Sequence, residues 1–386
     1  MPLMTPTTST TLPVLWFILI AALWVGYLTL EGFDFGVGML LRILGRNERE
    51  RRAMLGTIGP HWDGNEVWLL TAGGATFAAF PDWYGTLFSG AYLVLLAILL
   101  CLIVRVCAIE WREKINDQVW RDRWDWAHTI SAWIPSILWG AAFANLVQGM
   151  RIEVIDTASG APVPAGEVPA ETLIDGASHQ ITGGLAGMLT PFTLLGGAAV
   201  CLLFITHGAL FTALKTGGEL SRRALRLARG SSMISTLVCS AWMLWAQLAH
   251  SLNALAWIPL ILAALALIGS LVLTRQGREG RAFALHFAGI ALAVVFIFST
   301  TAPNVMRSRV DDAYSLTISQ AASADTTLLI MTVIAVLFVP VVLIYTIWGY
   351  RIFSARIHAE AIDPDEGGLH PTRVRETAQP EAAIGY

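Results

Sequence analysis

The chain has 386 residues, of which 55% are hydrophobic and only 14% are charged, and its mean hydropathy is +0.61. These proportions exclude an ordinary soluble globular domain and are typical of a polytopic membrane protein. The formal net charge of -3 identifies no partner, because in a membrane protein the positions of Lys and Arg matter more than their sum. The composition therefore predicts an all-α polytopic membrane protein.

Nine apolar stretches are each close to the roughly 20 residues that a helix needs to cross the hydrocarbon core. They cover residues 13–35, 61–80, 83–104, 128–149, 186–212, 231–250, 253–274, 282–300 and 326–350. We expect a bundle of about nine transmembrane helices within residues 1–350, followed by a cytoplasmic tail at 351–386 that is mobile from about Ala359. The second stretch carries the weakest signal, because it is short and begins with polar residues.

Basic residues alternate between successive loops. They cluster after the first, third, fifth and seventh stretches and in the tail, and the other loops contain only Arg151, Arg307 and Arg309 of the 25 Lys and Arg residues. Because Lys and Arg favour cytoplasmic loops, we expect the N-terminus outside and the C-terminus in the cytoplasm. The two long outside loops, 151–180 and 301–325, are expected to be ordered by a partner or by each other.

Two acids near the end of the first stretch, Glu31 and Asp34, are three residues apart and therefore share a helix face. Gly32 and Gly36 form a small-xxx-small pair that would let a neighbouring helix approach closely. One interpretation is an interfacial helix end with solvated acids. The other is a functional site, because ionisable groups at membrane depth usually face a bundle interior or a watered cavity.

The second stretch opens with the polar segment HWDGNE at 61–66. An acceptor followed three residues later by an acid is the pattern of a helix capping box, which would explain Asp63 and Glu66. A cap leaves the indole of Trp62 and the amide of Asn65 unexplained, and these residues favour a functional site.

The predicted topology brings these polar groups to the cytoplasmic end of the bundle. Arg105, at the end of the third stretch, is expected to neutralise Asp34 or Asp125, and the remaining acids are expected to form a watered inlet for protons. Asp63 ranks first, because a partly buried carboxylate can relay protons by alternating between its two forms. The candidate proton-path residues are Asp63, Asp34, Glu31, Glu66, His61 and Asn65, and the candidate charge-fixing and structural cluster is Trp62, Arg105 and Asp125.

The histidines provide a weaker signal. Those in or near the apolar stretches are His61, His128, His207, His250 and His286. No spacing forces two of them to face each other, so we expect this chain to bind no haem and no metal. The sequence has no phosphate loop, nucleotide fingerprint, CxxC or CxxCH motif, and we expect no nucleic-acid partner.

Several motifs along the chain match one known family. They are EGFDFGVG at 31–38, LGRN at 44–47, GPHWDGNEVW at 59–68, TAGG at 71–74, WDW at 124–126, NLVQG at 145–149, SLT at 315–317 and VPVVLIYT at 339–346. They resemble subunit II of cytochrome bd-type quinol oxidases. The resemblance covers nearly the whole chain and implies a complex in the bacterial cytoplasmic membrane. That complex would oxidise quinol, reduce oxygen to water and add to the proton gradient.

The resemblance also implies how the work is divided between subunits. Two haems b and one haem d would be held by a haem-bearing subunit I, with quinol as the electron donor, and this chain would bind no haem. A structural quinone or lipid against this chain and a small single-helix accessory subunit are further expected partners, besides membrane lipid. By resemblance, Asp34, Trp62, Asp63, Arg105 and Asp125 occupy the family's cytoplasm-side polar positions. Some relatives carry Gln at the position of Glu66, which therefore ranks below Asp63.

Two other functions stay open at this stage. A stand-alone proton- or ion-coupled transporter would have broken helices near the bilayer midplane and an inverted repeat, and we find no such repeat. A purely structural scaffold subunit would use its acids only to cap helices and to pair with arginines.

Overall fold

The computed structural model describes residues 11–170, 172–251, 253–364 and 368–369, and helices make up most of them. The helices are α1 (Thr11–Leu44), α2 (Glu48–Ile58), α3 (Trp62–Ala79), α4 (Pro81–Gly90), α5 (Tyr92–Trp111), α6 (Gln118–Gln148), α7 (Gly184–Met188), α8 (Pro191–Lys215), α9 (Gly218–Ala249), α10 (Trp257–Arg275), α11 (Glu279–Thr301), α12 (Ile318–Ala321) and α13 (Asp325–Ile352). Two antiparallel strand pairs accompany them, β1 (Ile152–Asp156) with β2 (Ala177–Ile181) and β3 (Asn304–Met306) with β4 (Leu316–Thr317).

Among the described residues, eight helices are long and apolar enough to cross a membrane: α1, α5, α6, α8, α9, α10, α11 and α13. They confirm the predicted all-α polytopic fold. The remaining predicted stretch, 61–80, forms α3, but its polar start keeps it out of this group. Its 18 residues would extend about 27 Å, so α3 is long enough to cross most of the hydrocarbon. That α3 crosses the membrane stays a prediction.

Two predicted stretches differ in extent from the helices that form there. Helix α1 continues to Leu44, well beyond residue 35, so Glu31 and Asp34 are buried inside the helix and are not solvated acids at its end. The predicted stretch 83–104 is divided between α4 and α5, with the break after Gly90. Gly90 lies so close to the side chain of Ile181 in β2 that a Cβ atom there would overlap it.

Helix α1 crosses α8 at very short range. A Cβ atom on Gly36 would overlap the backbone of Phe204 and Gly208, so only glycine permits this approach. The neighbouring Gly32 lies against the ring of Phe204. The expected small-residue contacts of α1 are therefore present within this chain, where they bring the acids of α1 into the middle of the bundle.

The loops that carry most of the arginines lie together at one end of the bundle, here called the arginine-rich end. Ion pairs join them: Arg112 to Glu48, Arg51 to Asp122, Arg223 to Glu50, and Arg356 to Glu279. The two long loops meet at the opposite end, where the hydroxyl of Tyr314 donates to the Val163 carbonyl at 2.7 Å. The two long loops therefore contact each other, in agreement with the expectation that they order each other. That the arginine-rich end faces the cytoplasm stays a prediction.

The first part of the C-terminal tail is packed against the arginine-rich end. Lys215 donates to the carbonyls of Phe353 and Ala355, the latter at 3.2 Å, and the Ile357 amide donates to the Lys215 carbonyl at 2.8 Å. Ala359 is buried, so the expectation of mobility from this residue onward is wrong for 359–364. Residues 365–367 and 370–386 lie outside the described part of the chain.

Candidate functional site

Two carboxylates and one guanidinium are completely buried in the middle of the bundle. Glu31 and Asp34 come from α1 and Arg105 comes from α5, and all three have a relative exposure of 0%. Arg105 forms an ion pair with Glu31, and its Nη2 atom lies 3.7 Å from Oε2 of Glu66 on α3. The predicted pairing of Arg105 with Asp34 or Asp125 is therefore not found, because Arg105 reaches the turn of α1 that carries Glu31.

Asp34 is held by an amide. The Nδ2 atom of Asn65 donates to Oδ2 of Asp34 at 2.7 Å, and the hydroxyl of Tyr350 donates to Oδ1 of Asn65 at 2.7 Å. These three residues come from α1, α3 and α13, so the site joins the two ends of the chain. We call Glu31, Asp34, Asn65, Glu66, Arg105 and Tyr350 the buried acid cluster.

The two acids of α3 differ in burial, and their predicted functional order stays a prediction. Asp63 is exposed, whereas the side chain of Glu66 is only 19% exposed and faces Arg105. The expected partial burial of Asp63 is therefore not found within this chain, because α3 turns Asn65 and Glu66 towards α1 and α5. The capping box is not found either, since His61 is the N-cap of α3 and its side chain makes no capping hydrogen bond.

The remaining two residues of the predicted motif flank the cluster. The His61 ring is buried and stacks on Tyr350, with centroids 4.1 Å apart and planes at 15°. Trp62 is half-buried in the first turn of α3. The structure thus places His61 against the aromatic ring that closes the cluster, and not against a carboxylate.

Asp125 belongs to a second, separate group at the arginine-rich end. Arg112 donates from Nε to Oδ1 of Asp125 at 2.6 Å, and Arg51 donates from Nη1 to its Oδ2 at 3.1 Å. Arg112 also holds both carboxylate oxygens of Glu48, at 2.9 and 2.8 Å. We call Glu48, Arg51, Arg112, Arg121, Asp122 and Asp125 the arginine network.

Electrostatics in the arginine network favour ionised acids. Burial alone would raise the pKa of Glu48, but the hydrogen bonds from Arg112 and the charges of Arg112 and Arg121 outweigh it and hold that pKa below its ordinary value. The polar groups predicted to collect at one end of the bundle therefore form two clusters, with Arg105 in the buried acid cluster and Asp125 in the arginine network. Of these two clusters, the buried acid cluster has more carboxylates than guanidinium groups.

Sequence reasoning also missed a pair of buried histidines. His207 on α8 and His286 on α11 are 79 residues apart and bring their Nδ1 atoms to 3.3 Å. The Nε2 atom of His207 lies 3.0 Å from the Thr29 carbonyl, so Nε2 carries a proton and Nδ1 is the acceptor for His286. The two nitrogens face each other at hydrogen-bond distance, which leaves no room for a haem iron between them. No sequence spacing could have signalled this pair.

A large apolar cavity lies beside the buried acid cluster, between α1 and α3 to α6. Its volume is about 640 Å³, and Trp24, Trp83 and Trp139 contribute to its lining. Gly73 and Gly74 also line it, and a Cβ atom on either would meet no atom within 4 Å. These glycines therefore widen a cavity and do not mediate a close helix contact among the described residues.

Comparisons with known proteins agree with this architecture. The sequence profile of a family described as "Cytochrome bd terminal oxidase subunit II" matches residues 12–353. A relative from Bacillus subtilis (strain 168), named "Cytochrome bd ubiquinol oxidase subunit 2", is 38% identical over 89% of this chain and 96% of its own length. The Escherichia coli (strain K12) "Cytochrome bd-I ubiquinol oxidase subunit 2" is 34% identical over 92% of this chain and 98% of its own length.

A solved structure is also similar. A chain of the bd oxidase from Geobacillus thermodenitrificans superimposes with a TM-score of 0.63 at 16% identity, over 89% of this chain and 98% of the other, which establishes the shared fold alone. The profile match and the two relatives cover almost the whole chain at more than 30% identity. The chain therefore belongs to the cytochrome bd terminal oxidase subunit II family.

Proposed function

We propose that this chain is the non-haem subunit of a quinol oxidase in a bacterial inner membrane, and that its buried acid cluster supplies protons for the reduction of oxygen to water. One observation carries the proposal: Glu31 and Asp34 are completely buried, yet among the described residues only one guanidinium, that of Arg105, lies beside them. The family assignment supplies the reaction, and the cluster supplies a reason for this subunit to take part in it.

The charge balance of the cluster suits proton transfer. Glu31, Asp34 and Glu66 contribute three carboxylates against the single charge of Arg105. A buried ion is tolerated when it is paired, and one arginine cannot pair with all three. Asp34 instead receives a hydrogen bond from a neutral amide. Such a group can bind and release a proton without breaking an ion pair, which is what a relay requires.

The predicted orientation gives the direction of transfer. Asp63 is exposed and Glu66 half-buried on consecutive turns at the start of α3, so they form a route from the surface to Asp34 and Glu31. If the arginine-rich end faces the cytoplasm, the consumed protons come from the cytoplasm and their uptake contributes to the gradient.

The haems and the quinol are assigned to the partner. The His207–His286 pair does not fit haem iron, and the described residues contain no group of three or more His, Cys, Asp and Glu that could hold a metal ion. We therefore place two haems b, haem d and the quinol site in the haem-bearing subunit I. The apolar cavity of about 640 Å³ suits the tail of a structural quinone or a lipid chain.

Helix α13 is the proposed docking surface for subunit I. Of its 28 residues only Leu328 is buried, and its exposed face is apolar. Among the described residues, Tyr350 is the residue through which α13 contacts the buried acid cluster. Docking of subunit I on α13 would therefore bring the partner next to the buried acid cluster. A small single-helix accessory subunit would bind against a membrane-spanning helix other than α13.

The two alternative functions receive less support. Helix α1 is continuous over 34 residues at the level of the cluster, whereas a transporter site is expected at a broken helix. A scaffold would use its acids for caps and ion pairs, but the capping box is absent from α3 and Asp34 accepts from an amide. The scaffold hypothesis nevertheless predicts a different result in the following experiment.

The test is Asp34→Asn in the assembled complex, which keeps the shape of the side chain and removes its proton exchange. We expect oxygen consumption per haem to fall at least tenfold while the haem spectrum is unchanged. Glu153→Gln on β1, at the opposite end, is the matched control and should keep the wild-type rate. Wild-type turnover of Asp34→Asn at every pH would reject proton supply and support the scaffold.

A further inference from the structure

Helix α13 contacts the rest of the chain sparingly but reaches the buried acid cluster at its last turn. Its Tyr350 donates to Oδ1 of Asn65 at 2.7 Å, and its ring stacks on His61 at 4.1 Å. A second ring, that of Phe33, meets Tyr350 edge-on at 6.3 Å and 80°. One hydroxyl group is therefore held in place by two aromatic neighbours and directed at one amide.

The direction of these hydrogen bonds follows from the chemistry of the groups. A primary amide has one accepting and one donating side, and a carboxylate only accepts. Asp34 accepts a hydrogen bond from the NH2 group of Asn65, and the Tyr350 hydroxyl donates one to the carbonyl oxygen of Asn65. If the amide of Asn65 turned over, its oxygen would face the Asp34 carboxylate, and the Tyr350 hydroxyl would lose its acceptor. Both losses oppose the turn.

We propose that Tyr350 is a positioning residue for proton transfer: its hydroxyl fixes the amide of Asn65, and the fixed amide holds Asp34 ready as a carboxylate. The inference rests on the proposed proton-supply function. The hydrogen bond donated by Nδ2 of Asn65 stabilises the carboxylate form of Asp34 more than the protonated form, whereas an amide that had turned over would present its oxygen to the proton of the acid. Tyr350 therefore favours the form of Asp34 that accepts the next proton.

The end of α13 is anchored independently of this hydrogen bond. Lys215 on α8 donates to two carbonyls just after α13, those of Phe353 and Ala355, and Arg356 pairs with Glu279 at 2.6 Å. Removing only the Tyr350 hydroxyl should therefore leave the helix in place. The charged groups around Asp34 stay the same: Glu31 on α1 and Arg105 on α5, with Glu66 on α3 next to Arg105.

The test is Tyr350→Phe in the assembled complex, compared with Tyr314→Phe at the opposite end of the bundle. The Tyr314 hydroxyl also donates one hydrogen bond at 2.7 Å, to the Val163 carbonyl, so its variant makes the same chemical change away from the cluster. We expect turnover per haem to fall roughly fivefold in Tyr350→Phe, the effect of about 1 kcal/mol from one hydrogen bond. Its pH profile should move, because Asn65 is then free to turn and to accept from protonated Asp34. Tyr314→Phe should match wild type in both.

A double-mutant cycle with Asn65→Ala separates positioning from a merely structural role. If Tyr350 acts through Asn65, Tyr350→Phe should cause no further loss of turnover in the Asn65→Ala background. Additive losses, or a wild-type pH profile for Tyr350→Phe, would overturn the inference. If Asp34→Asn slows turnover and Tyr350→Phe does not, the positioning role alone fails. If Asp34→Asn is itself without effect, the proton-supply function and the positioning role fail together.

Discussion

The buried acid cluster and the arginine network contain the same charged residue types in different proportions: three carboxylates with one arginine in the cluster, and three carboxylates with three arginines in the network. Both contain a carboxylate and an arginine with essentially no exposure, Glu31 with Arg105 in one and Asp125 with Arg112 in the other. In the arginine network the buried Asp125 accepts from guanidinium groups, and Arg112 binds both Asp125 and Glu48. In the buried acid cluster Arg105 is the single cation, and Asp34 accepts from an amide.

The difference shows what separates a structural ion pair from a site that can exchange protons. Acids surrounded by guanidinium groups stay ionised, because protonation would forfeit several charge-assisted hydrogen bonds. A carboxylate that accepts from a neutral donor loses less on protonation. The arginine network should therefore stabilise the fold, and the buried acid cluster should affect turnover. The following predictions test this division.

The largest expected effect is loss of stability in Arg112→Gln. The substitution leaves the buried Asp125 with fewer donors and removes both hydrogen bonds to Glu48. Breaking a buried pair by removing one partner typically costs about 3–5 kcal/mol. We expect the yield of haem-bearing complex and its melting temperature to fall sharply, with near-normal turnover in the complex that does assemble. Arg222→Gln is the control, because the Arg222 side chain is 68% exposed and its pair with Glu219 lies at the surface. An Arg112→Gln complex with wild-type stability would remove the structural role of the network.

The next effect concerns the helix contact that places the acids. Gly36→Leu would force α1 and α8 apart, because there is no space for a side chain against Gly208. Overpacking typically costs about 1–3 kcal/mol, so we expect a lower yield of complex. Gly73→Leu is the matched control, since it adds the same side chain where the chain leaves open space. Equal losses of yield for the two variants would show that Gly73 is covered by the partner subunit.

The sequence predicted the membrane fold, the polar positions and the common end of the basic loops. Hydropathy and the distribution of arginines are properties of whole segments. Predictions drawn from them therefore tolerate errors of several residues at each boundary. The sequence failed where a single side-chain direction decided the outcome. Asp63 was expected to be partly buried, but the rotation of α3 turns Glu66 inwards and leaves Asp63 exposed.

The sequence also failed to predict which side chains contact each other when they come from different parts of the chain. Arg105 was expected to meet Asp34 or Asp125, yet it meets Glu31, and Asp125 pairs with Arg112 and Arg51. Tyr350 lies 285 residues from Asn65, and no periodicity connects them. Such contacts depend on how helices pack in three dimensions, which a single sequence does not specify.

A smaller effect should appear as a pH dependence of stability in the arginine network. The pKa of Glu48 in the folded chain lies below its ordinary value of 4.5, so the folded state gains stability from Glu48 while it is ionised. That gain is complete above the ordinary pKa and is lost as the pH falls through the lowered one. We expect Glu48→Gln to lower the melting temperature of the solubilised complex at pH 7, by the equivalent of about 1 kcal/mol. The gap to wild type should close below about pH 4.5. A gap that widens on acidification would contradict this sign.

The smallest expected effect is that of Asp63→Asn, and it bears directly on where the proton route is limiting. Asp63 is exposed, so a water molecule can take its place at the surface, whereas nothing in the described chain can replace Asp34 at the centre of the cluster. We expect turnover per haem to fall by no more than about twofold in Asp63→Asn, well below the loss in Asp34→Asn. Asp312→Asn, at the opposite end of the bundle, is the matched control for the loss of one surface carboxylate. If Asp63→Asn instead slows oxygen consumption more than Asp34→Asn across pH, then α3 must be covered in the complex. Asp63 would in that case be the narrow point of the route, and the ranking given by the sequence would hold in the assembled enzyme.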